Sequence, residues 1–141
     1  QVGQGNETTK KLGVIIEEPG FLYNYSGYNN LKFLAKINKK ISKEKIRQTI
    51  QLVGLDPDSK KHVGKYSLGL AQAIMEDPEI LLLDEPMNGL DKHGVGEMRE
   101  LFRSFADQGK TIIMANHSAE DIEVLCDTVH EMDLGVISRV K

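Results

Sequence analysis

The sequence predicts an α/β domain built on a parallel sheet, on three observations. Short apolar runs of strand type, Leu12–Ile16, Ile80–Leu83 and Thr111–Ala115, alternate with stretches of helical periodicity. The second run passes directly into Asp84-Glu85, and the third into Asn116-His117. In open α/β sheets ligands bind beyond the carboxyl ends of the strands, so both polar ends fall where a site is expected.

Composition narrows the function classes. A chain of 141 residues suits one domain with a respectable core, and 40% hydrophobic residues with mixed charge read as globular. The net charge of -3 offers no broad basic footprint, so no nucleic-acid partner is expected. A single cysteine, Cys126, excludes an intrachain disulfide framework, fits a reducing compartment and is expected to pack rather than react. No apolar run approaches the roughly 20 residues that span a bilayer, and no signal-peptide pattern is seen. Any membrane role is expected to run through a partner.

The elements follow in order. Gln1–Lys11 is polar and reads as a loop or edge segment. Its GQGNETT invites comparison with a phosphate loop, but Glu7 stands where the lysine belongs and would repel phosphate. No helix follows to cradle an anion. Leu12–Ile16 is the first strand, and Pro19-Gly20 mark the exit from it. Ser26 caps a helix to about Ile37. Phe21, Tyr23, Tyr25 and Tyr28 serve equally well as a partner-docking patch or as local anchors. Ser42 caps a second helix bearing Ile46, Ile50 and Val53, which Gly54 stops. The lysines at 39, 40, 43, 45, 60 and 61 read as a solvated face.

Leu55–Val63 is a polar connector. Tyr66–Asp77 reads as a turn leading into a helix through Leu70, Ala73 and Ile74, with Pro78 returning the chain to the sheet. Ile80–Leu83, apolar without alternation, fits a strand buried on both faces. Pro86 blocks its extension. Asp91 caps a long helix to about Asp107, whose apolar face is Leu90, Val95, Met98, Leu101, Phe102 and Phe105, and Gly109 ends it. Thr111–Ala115 is a third buried strand. Ser118 and Asp121 form a variant capping box for a helix through Leu125. Thr128–Met132 and Val136–Val140 read as a hairpin about Asp133-Leu134-Gly135.

In a nucleotide site the first acid after a buried strand, Asp84, can hold Mg²⁺. The second, Glu85, can orient or deprotonate a water. His117, at the matching end of its own strand, can hydrogen-bond a transferring phosphate and the attacking water. A lone histidine is more often structural, and His62, His93 and His130 have no reading beyond surface or packing.

At this point the chain resembles the nucleotide-binding subunits of ATP-binding cassette (ABC) transporters over nearly its whole length. LLLDEP is similar to a Walker B strand with its catalytic glutamate, Asn88-Gly89-Leu90-Asp91 to a D-loop, and TIIMANHS to an H-loop with His117 as switch histidine. IEEPGF followed by SGYNNL resembles the bacitracin- and lantibiotic-type exporters of peptide antibiotics, where a glutamate often replaces the Q-loop glutamine; Glu17 stands there. The resemblance implies a P-loop NTPase-like (RecA-like) parallel-sheet core at 1–19 and 78–141, with a helical ABC-type subdomain at 20–77. It implies ATP and Mg²⁺ as cofactors, and catalytic roles for Glu85 and His117. Asp84 becomes the metal residue, and Glu17, Ser67, Gly69 and Asp91 the nucleotide-site residues. The implied partners are a transmembrane permease and a second nucleotide-binding subunit, at the cytoplasmic face of the cell membrane.

The sequence departs from that family in three places. No Walker A loop or upstream aromatic precedes the first strand, so the core is expected to be incomplete at its N-terminus. Tyr66-Ser67-Leu68-Gly69 resembles the start of the signature motif but passes directly to LAQAI, without the usual short Gln/Arg-containing stretch. Leu68 and Gly69 fit either side of that gap. The carboxyl-terminal portion of such subunits is expected to be incomplete as well. The leading expectation is an ATP-hydrolysing exporter subunit. A docking module for a permease that does not turn over ATP is the alternative, and a soluble ABC ATPase of DNA repair or translation is a weaker third.

Overall fold

Four side chains start four helices by the same local chemistry. In the computed structural model, which describes residues 12–16, 20–37, 41–60 and 65–141, Ser26, Ser42, Asp91 and Ser118 are extended and each accepts from the N–H three residues on. Each thereby satisfies a donor that the first turn cannot pair. The helices so begun are α1 (Gly27–Ala35), α2 (Lys43–Leu52), α4 (Lys92–Asp107) and α5 (Ala119–Leu125). The remaining described helix, α3, spans Lys65–Ile74.

β1 (Leu12–Ile15), β2 (Ile80–Asp84) and β3 (Thr111–Ala115) form a parallel sheet in the order β1-β2-β3. Leu83 lies beside Ile15 on one side and Met114 on the other, and Asp84 lies beside Ala115. Helices α1, α2 and α3 bridge β1 to β2 in sequence, and α4 bridges β2 to β3. β4 (His130–Asp133) and β5 (Val136–Arg139) make a separate hairpin, tighter than the sequence suggests. Its turn is Leu134-Gly135, both at positive φ, the twist that two-residue hairpins favour.

Alternation divides the sheet. Gly13, Ile15, Leu81 and Leu83 share one face and are buried, with Ile112 and Met114 packed against the same core. Leu12, Val14 and Ile113 on the other face are exposed. The expectation of a buried strand is thus corrected for β3, while β2, buried on one face, keeps Ile80 and Leu82 half-buried on the other. An unbroken apolar run specifies what both faces prefer, whereas α3 and α4 cover only one. Phe102, at 2% exposure, with Leu101, Phe105 and Met98, gives the buried stripe of α4.

A second correction concerns α3. Tyr66–Gly69 is not a turn but part of a helix continuous from Lys65. Joining YSLG directly to LAQAI puts Leu68, Ala71 and Met75 at helical spacing, and all three are buried, so the core claims the segment. The aromatic loop divides between its two readings. Phe21 and Tyr28 pack against the core, while Tyr23 and Tyr25 are exposed. Buried Asn30 shapes that loop by accepting from Leu22 N–H at 2.8 Å and donating to the carbonyls of Leu22 and Tyr25. Among the lysines, 43 and 60 are exposed and Lys45 is half-buried. Lysines 39, 40 and 61, like Gln1–Lys11, lie outside the described residues.

Gly13 sets how closely β1 meets α3. A Cβ there would stand 2.6 Å from the Ala73 carbonyl oxygen and 2.8 Å from a Leu81 methyl. The backbone oxygen cannot yield as a side chain could. Gly13→Ala is expected to destabilise the fold by about 1–3 kcal/mol, the usual cost of overpacking, as read by urea denaturation. A midpoint equal to that of the parent would contradict this packing.

Candidate active site

The site is built where β2 and β3 end together. Asp84 is the last residue of β2, and the next backbone N–H, that of Glu85, donates to the Ala115 carbonyl at 2.9 Å. This bond extends the β2–β3 pairing one step past the strand. Glu85 then turns with φ +47°, a left-handed conformation that costs a non-glycine residue energy. Pro86 and Met87 are buried, so the turn is anchored immediately behind the acid. The turn continues through Gly89 at φ +76° and closes on Asp91, whose Oδ1 accepts from Gly94 N–H at 2.8 Å.

From β3 the chain leaves Ala115 through Asn116 to His117. The His117 Nδ1 lies 2.8 Å from Glu85 Oε1. Glu85 is 26% exposed in its side chain and His117 is 88% exposed, so the pair is anchored on the acid side and open on the imidazole side. The two residues picked from separate strand ends are thus in direct contact. Asp84 is exposed at the same edge, and its carboxylate makes no hydrogen bond or ion pair among the described residues.

The other candidates sit less centrally. Asp91 caps α4. Ser67 is half-buried in the first turn of α3 and Gly69 is buried within it. Neither is hydrogen-bonded to Asp84, Glu85 or His117 among the described residues. Glu17 lies outside the described residues.

Two features of this edge depend on contacts between residues far apart in sequence. The Tyr66 hydroxyl is buried without a hydrogen-bond partner among the described residues. Burial first, and then the Asp84 carboxylate, push its phenol far above the ordinary value. Its place beside Asp84 depends on α3 being helical from Lys65, which the expected turn concealed. The second is Asp121, 4% exposed, to which Arg99 of α4 donates from Nε at 2.9 Å and also from Nη2. Burial works against its charge, yet hydrogen bonds from Arg99 and Ser118 hold its carboxyl below the usual range.

The donor set suits a metal that arrives with its substrate. Asp84 offers hard carboxylate oxygen at an open edge, and Mg²⁺ is held by one or two carboxylates plus substrate phosphates. Among the described residues no group of three or more His, Cys, Asp or Glu forms a cage for a resident ion. A carboxylate in contact with an imidazole is the arrangement that handles a proton and a developing negative charge side by side.

Comparison with known proteins bears on the chemistry. No protein-family model matches the chain. The bacitracin transport ATP-binding protein BcrA of Enterococcus faecalis is 40% identical over 132 residues, covering 89% of this chain and 43% of that protein. The lantibiotic transport ATP-binding protein SrtF of Streptococcus pyogenes is 36% identical over 126 residues, covering 85% of this chain and 55% of its own. The chain spans about half the length of the curated relatives it matches. The solved structure of cbiO1 from Clostridium perfringens, described as part of the ABC transporter complex cbiONQ, superposes with a TM-score of 0.74. It covers 92% of this chain and 56% of that one at 24% identity, a likeness that speaks to the fold. Over the stretch it spans, the chain is similar to ATP-binding proteins of ABC transporters, and it shares the fold of cbiO1.

Proposed function

We propose that the protein hydrolyses MgATP to drive export across a bacterial membrane, with Glu85 and His117 as its catalytic pair. The observation that carries this reading is the 2.8 Å contact between Glu85 and His117 at the shared carboxyl edge of β2 and β3. Asp84 would hold the Mg²⁺ that accompanies ATP, which when bound would supply neutralising charge at the phosphates. Glu85 accepts the proton of the attacking water. Its turn, fixed by the Ala115 carbonyl and buried Pro86, keeps the carboxylate at the edge without reorganisation. His117 steadies the terminal phosphate. To bridge Glu85 and a phosphate oxygen together, both ring nitrogens must be donors, so the imidazolium is the working form.

The remaining assignments belong to the same reading. Asp91 ties the turn after Glu85 to α4, so a subunit contacting that turn would be felt at the acid edge. Ser67 sits in the first turn of α3, where unpaired backbone N–H groups favour anions, and is assigned to the nucleotide of a second subunit. Gly69 is assigned with Ser67 to that nucleotide, and Glu17 to the link between nucleotide site and membrane partner. Exposed Leu22, Tyr23, Tyr25 and Phe33 supply an apolar and aromatic surface for a transmembrane permease. No helix among the described residues is long and apolar enough to cross a membrane, which suits a peripheral subunit on the cytoplasmic face. The transport names of the relatives support a peptide antibiotic as cargo, and they favour an ATP-driven role over docking alone.

The test is a calorimetric titration of the native protein with ATP, with Mg²⁺ and with chelator. Binding is expected to strengthen with Mg²⁺, and Asp84→Asn is expected to remove most of that gain while leaving metal-free ATP affinity in place. A Mg²⁺ effect undiminished in Asp84→Asn would contradict the assignment of the metal residue.

A further inference from the structure

The imidazole of His117 is 88% exposed and meets Glu85 at only one of its nitrogens, so its own side chain does little to fix where it stands. The backbone on either side of it is held instead. Asn116 Oδ1 accepts from the Ser118 N–H at 2.8 Å, closing a tight turn around His117. Ser118 Oγ then accepts from the Asp121 N–H at 3.3 Å, and Asn116 Nδ2 reaches Asp121 Oδ2 at 3.5 Å. Both neighbours of His117 are therefore tied to one residue, buried Asp121.

Asp121 is in turn gripped from another element. Arg99 of α4 donates to its Oδ1 from Nε and Nη2, and reaches Glu120 Oε1 with Nη1 at 3.2 Å. Arg103, one turn along, donates to the Val124 carbonyl at 3.3 Å. The planar guanidinium presents several donors in a fixed fork, which sets direction as well as distance, and a lysine does not reproduce it. α4 itself starts at Asp91, in the turn that follows Glu85. Both partners of the catalytic pair are thus referred to one helix. Glu85 is tied to it through the turn at its beginning, and His117 through Arg99 and Asp121.

We propose that Arg99 and Asp121 are positioning residues that hold His117 against Glu85. This rests on the reading of Glu85 and His117 as a pair working on MgATP. The two can fail separately. Breaking the clamp should release the His117 loop while the sheet and its core stay folded, since Arg99 and Asp121 lie outside the buried apolar cluster.

The experiment is carried out on the native protein with Asp121→Asn, Arg99→Met and Arg99→Lys, with Glu85→Gln as reference. Asp121→Asn is nearly isosteric, but its new amide would face the amide of Asn116 donor to donor. The direct readout is the ¹⁵N resonance of His117 Nδ1. Asp121→Asn and Arg99→Met are expected to move it toward its position in Glu85→Gln, where the carboxylate is gone, and Arg99→Lys to move it less. The kinetic readout is MgATP hydrolysis. The kcat is expected to fall on the order of tenfold to a hundredfold with KM unchanged, the scale of a misplaced catalytic group. In a His117→Ala background Asp121→Asn is expected to cost nothing further. A resonance unmoved in Asp121→Asn and in both Arg99 variants overturns the proposal whatever the turnover does. An equal loss of kcat with and without His117 overturns it too, because a merely structural link would behave so. A resonance that moves while Glu85→Gln hydrolyses at the wild-type rate keeps the positioning and overturns the reading of Glu85 and His117 as the catalytic pair.

Discussion

Glu85→Gln is expected to lower the turnover of MgATP by roughly two to four orders of magnitude, the range over which a positioned general base contributes. Nucleotide affinity is expected to hold. The substitution is nearly isosteric, and the glutamine carbonyl can still accept from His117 Nδ1, where Glu85 Oε1 now stands at 2.8 Å. The backbone at this position, with φ +47° and its N–H bonded to the Ala115 carbonyl, does not depend on the side-chain charge. What changes is basicity. A carboxylate can take a proton from water and an amide cannot, so the loss falls on kcat and spares binding. Phosphate release under single turnover, beside equilibrium binding of MgATP, separates the two. Wild-type turnover in this variant would remove Glu85 from the chemistry.

His117→Ala is expected to produce the second largest loss, about a hundredfold to a thousandfold in kcat, as when one preorganised donor to a transition-state charge is deleted. The imidazole is largely exposed and outside the apolar core, so its removal leaves no cavity to destabilise the fold. The melting temperature is expected to stay near that of the parent while turnover collapses. A loss of turnover matched by a loss of stability would mark His117 as structural. The deletion also leaves the Glu85 carboxylate without its imidazole partner, so part of the loss is a disturbance of the base.

The parts of this fold legible in the sequence are those set by neighbours along the chain. Ser26, Ser42, Asp91 and Ser118 act as caps because a short polar side chain reaches the N–H three residues on, a contact that needs no tertiary structure. The runs at β1, β2 and β3 were legible as strands for a similar reason, and with them the meeting of Glu85 and His117. Parallel strands end on one edge, so residues just past two adjacent ends fall together.

What stayed hidden depends on residues far apart in sequence. Apolar runs state a preference for burial but not which faces are covered, so the exposure of Val14 and Ile113 was not foreseen. Arg99 and Asp121 are separated by 22 positions, and nothing in their local patterns marks them as partners. Tyr66 falls in a segment whose local sequence reads as a turn, yet burial of Leu68, Leu70 and Ala71 makes it helix. Tertiary packing there overrides local preference. The aromatic loop shows the same limit on a small scale. Of the four aromatic residues over Phe21–Tyr28, Phe21 and Tyr28 pack against the core and Tyr23 and Tyr25 do not, while Asn30 holds the backbone of the loop.

Glu85 and His117 are expected to act as one unit. The measurement that tests it most directly is a double-mutant cycle in kcat for MgATP, using Glu85→Gln, His117→Ala and the two combined. Strong coupling is expected, with the double variant scarcely slower than Glu85→Gln alone. Losses that simply multiply would mean that the two side chains work independently, and that their contact at the edge of the sheet is not the catalytic centre.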